Sequence, residues 1–254
     1  MADEKPGCQH STDIAAVLFD YGGVLADVLT PSNGFESMAQ VIRDHLPFTS
    51  LTREDIATDL AFGWKAYDGW KRAQSRARKP REISQQGFWK LVTCDWTDAD
   101  RAAVAAAAVV LTQELELRVI ARPALPGTRK TLLALRDRGI RLALVSNCLS
   151  GEAARVQLEE DQLLDLFDVT VFSNEIGYRK PGPQILWHAL AALDVEPEQA
   201  AFVGDRLDRD MLAGARAGIR LNVLRKTPTG SGVPLRGVTA DVTIDHLGEL
   251  LDRL

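Results

Sequence analysis

The sequence has few of the features that mark secreted, membrane-bound or zinc-stapled proteins. Its three cysteines, Cys8, Cys94 and Cys148, are widely spaced and form no C-x-x-C pair. This spacing argues against a disulfide framework or a structural zinc site and suits a reducing cytoplasm. No apolar run approaches the ~18 residues of a membrane span, and Met1 to Asp13 lacks the basic start and apolar stretch of a signal peptide. We therefore expect a cytoplasmic protein with no membrane partner and a disordered tail over residues 1–13.

The sequence also lacks an excess of positive charge and any pattern of paired histidines. Its 254 residues carry a net charge of −5, which gives no global reason to expect a nucleic-acid partner. The four histidines, His10, His45, His188 and His246, show no metal-ligand spacing. With 46% apolar and 26% charged residues, the composition is that of an ordinary globular protein with one large domain, or a core and a smaller domain.

What the sequence does contain is an alternation of strand and helix patterns, interrupted by one long helical stretch. Strands are predicted over 14–19, 140–145, 169–172, 201–203, 219–224 and 242–244. Helices are predicted over 128–138, 151–164, 183–193 and 208–217, with a final helix to Leu254. Such alternation predicts a Rossmann-like parallel sheet covered on both faces. We therefore predict an α/β core formed by residues 14–27 and 118–254.

Residues 28–117 show only helical patterns, which predicts an inserted all-helical cap. Thr52 and Asp55 have the spacing of a capping box at a helix start, and Pro80 is expected to break the helix that follows. A second helix begins near Ser84. A third is expected from Asp98 to Leu117, across an alanine-rich run, because alanine is the strongest helix former.

Polar side chains follow four of the predicted strands. Asp20 opens the segment Asp-Tyr-Gly-Gly after the first strand, Ser146-Asn147 follows the second, Lys180 lies in the loop after the third, and Gly204-Asp205 follows the fourth. Each has an ordinary structural interpretation, such as a helix cap, a turn residue or a solvated charge. Asp210, five residues beyond Asp205, could equally be a first-turn charge on a helix dipole. Their convergence at one sheet edge, where open α/β sheets bind ligands, favours a shared site.

These residue types suit phosphoryl transfer. Asp20 and Asp205 could hold Mg²⁺, which prefers hard oxygen ligands. A hydroxyl from Ser146, a backbone N–H and the Lys180 ammonium could neutralise phosphate oxygens. A carboxylate can also act as the nucleophile, as in aspartyl-phosphate chemistry.

On these motifs and their order, the chain resembles the haloacid dehalogenase superfamily from Ile14 to Leu254, in the subgroup with a helical cap between the first two motifs. The resemblance implies a Mg²⁺-dependent phosphatase acting on a small phosphorylated metabolite. Asp20 would be both nucleophile and metal ligand, and the Gly22 carbonyl, Asp205 and Asp210 would complete the metal site. Ser146, the Asn147 N–H and Lys180 would bind the phosphoryl group. In relatives the position of Asp210 holds either a metal-bound water or the lysine.

One position departs from the family pattern. Phosphatases of this family usually carry a second Asp two residues after the nucleophile, as general acid and base, and here that residue is Gly22. General acid–base catalysis typically contributes about 10²–10⁴-fold. The alternatives are a slow phosphatase, a preference for esters with good leaving groups, or a base from elsewhere, with Asp27 the nearest carboxylate in sequence.

Other functions on the same scaffold stay open. These are a non-catalytic or regulatory protein, a carbon–halogen hydrolase, and a phosphonate-cleaving enzyme, for which a cap lysine (Lys65, Lys71, Lys79 or Lys90) would form a Schiff base. The basic segment 71–81 would be a solvated loop or a surface that steers anions or binds RNA. Trp64, Tyr67 and Trp70 would either pack a small core or contact substrate.

Overall fold

The computed structural model describes residues 14–228 and 230–254. The expectations for the tail 1–13, including Cys8 and His10, lie outside those residues. The strands are β1 (Ala16–Phe19), β2 (Arg141–Ser146), β3 (Val169–Phe172), β4 (Ala200–Gly204), β5 (Leu221–Arg225) and β6 (Val242–Ile244). The helices are α1 (Gly34–His45), α2 (Arg53–Gln74), α3 (Gln85–Val92), α4 (Asp98–Ala106), α5 (Ala108–Val119), α6 (Thr128–Asp137), α7 (Gly151–Glu160), α8 (Ser173–Ile176), α9 (Gln184–Leu193) and α10 (Leu212–Ala217).

The six strands form one parallel sheet in the order β3-β2-β1-β4-β5-β6. Alternate residues of β1 enter different apolar clusters: Val17 and Phe19 pack on one face, and Ala16 and Leu18 on the other. Both faces are therefore buried, which explains why the strands read as continuous apolar runs. The strand order reverses between β1 and β4, so the carboxyl ends of these two strands flank the crevice where such sheets bind ligands.

The stretch between β1 and α6 is helical, as predicted, and has its own apolar cluster. Residues such as Met38, Leu60, Phe88 and Leu111 pack together there, separately from the two faces of the sheet. Leu149, from the loop after β2, also belongs to this cluster, so the helical insert packs against the carboxyl edge of the sheet. The capping box predicted at Thr52 and Asp55 is confirmed, with both reciprocal hydrogen bonds present. The domain boundaries at 27/28 and 117/118 stay predictions.

Three predicted helices differ in the structure. The helix expected over 98–117 is two helices, α4 and α5, with a break at Ala107 that alanine's helix preference does not predict. The helix expected from Asp208 begins as a π-helical turn over Leu207–Met211, and the final helix is a 3₁₀ segment over Leu247–Asp252. Across the described residues, no helix combines the length and apolar character that crossing a membrane requires.

Candidate active site

Asp20 lies at the carboxyl end of β1, with only 3% of the residue exposed. Its Oδ1 accepts hydrogen bonds from the Tyr21 N–H and from Lys180 Nζ, both at 2.8 Å. Its Oδ2 lies 2.5 Å from Nη2 of Arg209. Two donors therefore fix one oxygen of the carboxylate, and the other oxygen faces the acidic residues that follow β4.

Lys180 is a fully buried cation at this edge, and the loop after β3 delivers it. Its ammonium donates to Asp20 Oδ1 at 2.8 Å, to Asp210 Oδ1 at 2.9 Å and to the Val145 carbonyl at 2.9 Å. An ammonium has three protons, so all three have acceptors here. A phosphate oxygen could bind Lys180 only by replacing one of these acceptors. In this structure the lysine neutralises and orients Asp20.

Asn147 holds this lysine through its backbone. The Lys180 N–H donates to Asn147 Oδ1, and Asn147 Nδ2 donates to the Lys180 carbonyl, both at 2.9 Å. The amide side chain of Asn147 is thus engaged in a reciprocal pair, and its backbone N–H is the group left for the predicted phosphate contact. Ser146 lies beside it at the end of β2 and is nearly buried.

Asp205 and Asp210 approach Asp20 from the neighbouring strand. Asp210 is fully buried, and its Oδ2 accepts from the N–H groups of Asp205 and Arg206 at 3.3 and 3.2 Å. Gly204 makes this close approach possible, because a Cβ there would lie 2.2 Å from Cβ of Asp210. Asp20, Asp205 and Asp210 each offer a carboxylate oxygen within 4.8 Å of the other two. Three hard oxygen donors at this spacing are compatible with a Mg²⁺ site.

Arg209 is the site residue that the sequence analysis missed. Its Nη2 lies 2.5 Å from Asp20 Oδ2, 2.7 Å from Asp205 Oδ1 and 3.1 Å from Asp210 Oδ2. One nitrogen atom is therefore within hydrogen-bond distance of all three carboxylates. The available signal was its place between Asp208 and Asp210, but an arginine among acids at a helix start usually forms surface pairs. The π-helical turn that directs it inward cannot be foreseen from spacing.

The charges of this cluster shift the pKa values of its members in different directions. Burial, together with Asp210 and Asp20, raises the pKa of Asp205 above its usual range, against the effect of Arg209. Burial also opposes ionisation of Asp210, but Arg209 and Lys180 outweigh it and lower the pKa of that carboxyl. Burial likewise disfavours the charge on Arg209, and the three carboxylates more than compensate, so its pKa is raised. Asp210 and Arg209 are thus held in their charged forms.

Gly22, where the family pattern has its second Asp, faces Val28. A Cβ built on Gly22 would lie 2.6 Å from Cγ2 of Val28, a half-exposed side chain. The positive φ in this turn belongs to Gly23, at +81°, and not to Gly22. Asp27 has an exposed side chain, and it is not among the carboxylates that lie within 4.8 Å of one another. The structure therefore brings Asp20, Lys180, Asp205 and Asp210 together, with Ser146 and Asn147 beside them, and leaves Asp27 outside.

The helical insert contacts the Lys180 loop through a second buried ion pair. Arg179 Nη1 lies 2.8 Å from Glu82 Oε1, and both side chains are nearly inaccessible, at 6% and 1% exposure. The other carboxylate oxygen of Glu82 accepts a hydrogen bond from the Ser173 hydroxyl at 2.6 Å. The backbone N–H of Glu82 donates to the Gly177 carbonyl. Burial raises the pKa of Glu82, although Arg179 opposes the shift. These contacts fasten the segment from Ser173 to Arg179, which leads directly into Lys180, to the insert.

The two remaining features of the insert have ordinary structural surroundings. Trp64 and Tyr67 pack against each other and against Phe88, and Trp70 stacks on Tyr67, with ring centroids 5.7–6.1 Å apart. This arrangement agrees with the alternative in which the three rings pack a small core. Within the basic segment 71–81, Lys71 pairs with Asp68 at 2.5 Å, and the Arg81 guanidinium lies 4.0 Å from the ring centroid of Tyr178.

The chain is similar in sequence to one protein family and to several curated phosphatases. Residues 14–218 match the family model of haloacid dehalogenase-like hydrolases. A glyceraldehyde 3-phosphate phosphatase from Methanopyrus kandleri is 32% identical over 250 residues, which cover 94% of this chain and 96% of that protein. A phosphoglycolate phosphatase from Aquifex aeolicus is 39% identical over 106 residues, or 42% of this chain and 49% of that protein.

Solved structures agree on the fold. A HAD phosphatase from Thermococcus onnurineus superposes with a TM-score of 0.57 at 22% identity, covering 94% of this chain and 96% of that chain. A 2-haloacid dehalogenase from Pseudomonas syringae superposes with a TM-score of 0.60 at 17% identity, covering 94% and 97%. At these identities the likeness concerns the fold alone. With the family match over most of its length, the chain belongs to the haloacid dehalogenase-like hydrolases.

Proposed function

We propose that this protein is a Mg²⁺-dependent phosphatase that hydrolyses a small phosphate monoester through an aspartyl-phosphate on Asp20. The observation that carries the proposal is the position of Asp20, which is buried at the sheet edge, paired with Lys180, and within 4.8 Å of carboxylate oxygens of Asp205 and Asp210. The family and the full-length relative named as a phosphatase support the same class of reaction.

The residues present fit a magnesium site. Asp20, Asp205 and Asp210 supply carboxylate oxygens, and the Gly22 carbonyl is the further ligand that the family pattern implies. A small number of protein ligands is enough for Mg²⁺, because the ion usually keeps several waters and binds together with a substrate phosphate. When bound, the ion would offset the negative charge of the phosphoryl group and of Asp20, so that the two can approach.

In the first step, an Asp20 oxygen would form a bond to phosphorus while the bond between phosphorus and the ester oxygen breaks. Lys180 would hold the attacking carboxylate in its orientation, and Ser146 and the Asn147 N–H would bind the equatorial phosphate oxygens. The leaving alkoxide would take its proton from solvent water, because Gly22 has no acid to donate. In the second step, water would attack phosphorus and lose a proton to solvent while the bond between phosphorus and the Asp20 oxygen breaks, which releases inorganic phosphate and restores the Asp20 carboxylate.

Because residue 22 is a glycine and not the usual aspartate, we can predict which step of this reaction is slow. Activation of water for the second step lacks its usual base, so breakdown of the aspartyl-phosphate should limit turnover. An ester whose leaving group needs little protonation, such as an aryl phosphate, should undergo the first step readily. We accordingly expect activity on aryl phosphates even if the natural substrate, which the helical insert would select, is not supplied.

The experiment is hydrolysis of an aryl phosphate by the metal-stripped protein, with and without added Mg²⁺. The proposal predicts activity that vanishes in EDTA and returns when Mg²⁺ is in excess over the chelator. A zinc-only or calcium-only rescue would change the metal assignment. Full activity in EDTA would refute the metal-dependent mechanism. No phosphatase activity with any divalent ion, across a panel of sugar phosphates, nucleotides and small acids, would favour a non-catalytic protein.

A second candidate is hydrolysis of a carbon–halogen bond, in which an aspartate attacks carbon and no metal is needed. The position of Arg209 favours this reaction, because its guanidinium already neutralises much of the acidic cluster. Halide release from a short 2-halo acid, unaffected by EDTA, would support it. Phosphonate cleavage finds no such support, since Lys71 is paired with Asp68 and the side chains of Lys65, Lys79 and Lys90 are exposed.

A further inference from the structure

The point among the three carboxylates where a metal ion would bind is taken by a side chain of the protein, the guanidinium of Arg209. Nη2 of Arg209 lies between 2.5 and 3.1 Å from one oxygen of each of Asp20, Asp205 and Asp210. A Mg²⁺ ion binds its oxygen ligands at about 2.0–2.1 Å in an octahedral arrangement. The oxygens gathered around this nitrogen would each have to move inward by roughly 0.5–1 Å to coordinate an ion at the same point. The nitrogen and the ion therefore require the same space.

The two cations cannot share the cluster. Beyond the steric conflict, a divalent ion and a guanidinium in contact would repel each other in a largely buried site, where charge interactions are weakly screened. Lys180 cannot move aside in place of Arg209, because its side chain is fully buried and its three protons have acceptors. The Arg209 side chain is 26% exposed, so it is the cation with a route towards solvent.

The charge balance of the cluster also favours a divalent ion over the guanidinium. Three carboxylates face two monovalent cations, so one negative charge is left without compensation when Arg209 is in place. Replacing a monovalent by a divalent cation would remove this deficit, and it would leave a guanidinium at the mouth of the site.

From this geometry we propose that Arg209 is an internal competitor for the divalent metal: it occupies the metal position in the apo protein and must leave for Mg²⁺ to bind. The inference rests on the proposed metal site. It assigns a role to a residue outside the predicted ligand set. The apparent metal affinity is then the intrinsic affinity reduced by the fraction of molecules in which Arg209 has already left.

The test compares Mg²⁺ binding by isothermal titration calorimetry in the unmodified protein, Arg209→Gln and a matched control, Arg206→Gln. Arg206 lies three residues away and pairs with Asp208, and it is 37% exposed, so its removal changes net charge equally without vacating the cluster. Arg209→Gln should bind Mg²⁺ about tenfold or more tightly than the unmodified protein. Arg206→Gln should bind within about twofold of it, as expected for an exposed pair. In EDTA, Arg209→Gln should also melt at a lower temperature, and Mg²⁺ should raise its Tm by more than it raises that of the unmodified protein.

Equal Mg²⁺ affinity in the unmodified protein and Arg209→Gln would overturn this inference and leave the proposed phosphatase intact. Equal tightening in both variants would also overturn it, since net charge alone would then explain the gain. Failure of every form to bind Mg²⁺ would overturn the inference and the proposed metal dependence together.

A second measurement needs no variant. In NMR spectra of the unmodified protein, the Arg209 Nε–H should be protected from solvent exchange without metal and lose that protection when Mg²⁺ is added. Protection that persists at saturating Mg²⁺ would contradict the displacement.

Discussion

Two buried clusters of ion pairs lie at the same edge of the sheet, and they differ in how their charges balance. At the end of β1, the carboxylates of Asp20, Asp205 and Asp210 share two cations, Lys180 and Arg209. At the contact between insert and loop, Glu82 faces Arg179, and the second oxygen of Glu82 accepts from a serine hydroxyl. The first cluster has surplus negative charge, whereas the charges of the second pair balance.

This difference in charge balance distinguishes a candidate active site from a contact that only stabilises the fold. A buried pair whose charges balance has no surplus charge to offer a ligand, and removing one member leaves the other buried and uncompensated. A cluster with surplus charge is a candidate for binding a cation and for nucleophilic attack, and strongly perturbed carboxylates commonly mark functional sites. Substitutions should therefore affect activity at the first cluster and stability at the second.

The largest expected effect is on activity. Asp20→Asn keeps the size of the side chain and an acceptor oxygen for Lys180 but removes the attacking charge. Turnover of an aryl phosphate should fall by at least about a thousandfold. Because the surplus negative charge is also reduced, the Tm should be unchanged or higher. The control is Asp165→Asn, an exposed aspartate of the α/β domain, which should keep full activity. Substantial activity in Asp20→Asn would exclude covalent catalysis by this residue.

The next largest effect is on stability. Glu82→Gln leaves the Arg179 guanidinium buried without its partner, so we expect a loss of about 3–5 kcal/mol in the free energy of unfolding, measured in urea. Glu175→Gln removes a comparable but half-exposed partner of Arg155 and should cost less than about 1 kcal/mol. The double variant Glu82→Gln/Arg179→Met should recover part of the loss. Equal losses in Glu82→Gln and Glu175→Gln would remove the distinction between buried and exposed pairs.

The smallest effect concerns the turn after the nucleophile. Gly22→Asp introduces the carboxylate that the family pattern has and should raise steady-state turnover by about tenfold, below the usual range of acid–base contributions because the site was not built around it. The φ at Gly22 is not positive, so the substitution is opposed mainly by Cγ2 of Val28, which would lie 2.6 Å from the new Cβ. Gly22→Asp/Val28→Ala relieves that contact and should show at least the same gain, and Val28→Ala alone should show none. Unchanged turnover in both variants that carry Gly22→Asp would mean that a base is already supplied elsewhere.

Much of this arrangement follows from the sequence, and the exceptions share a cause. Buried strands ending in polar residues predict the sheet and the meeting of Asp20, Lys180 and Asp205, because parallel strands end at one edge. The reach of Arg209 into the cluster depends on a π-helical turn, which residue spacing does not encode. The pairing of Glu82 with Arg179 joins residues 97 positions apart and depends on how the insert docks. The break at Ala107 is likewise not encoded in the local sequence, where an alanine-rich run favours one continuous helix.

The most direct test of the central claim is to look for the phosphoryl group on Asp20 during turnover. The unmodified protein is mixed rapidly with an aryl phosphate and Mg²⁺, quenched in acid at successive times, and digested for mass spectrometry. The account predicts that the peptide containing Asp20 gains one phosphoryl group within the first turnover, together with a burst of the aryl alcohol before a slower steady state, because Gly22 cannot activate water. Brisk turnover with no burst and no phosphorylated peptide would contradict the account.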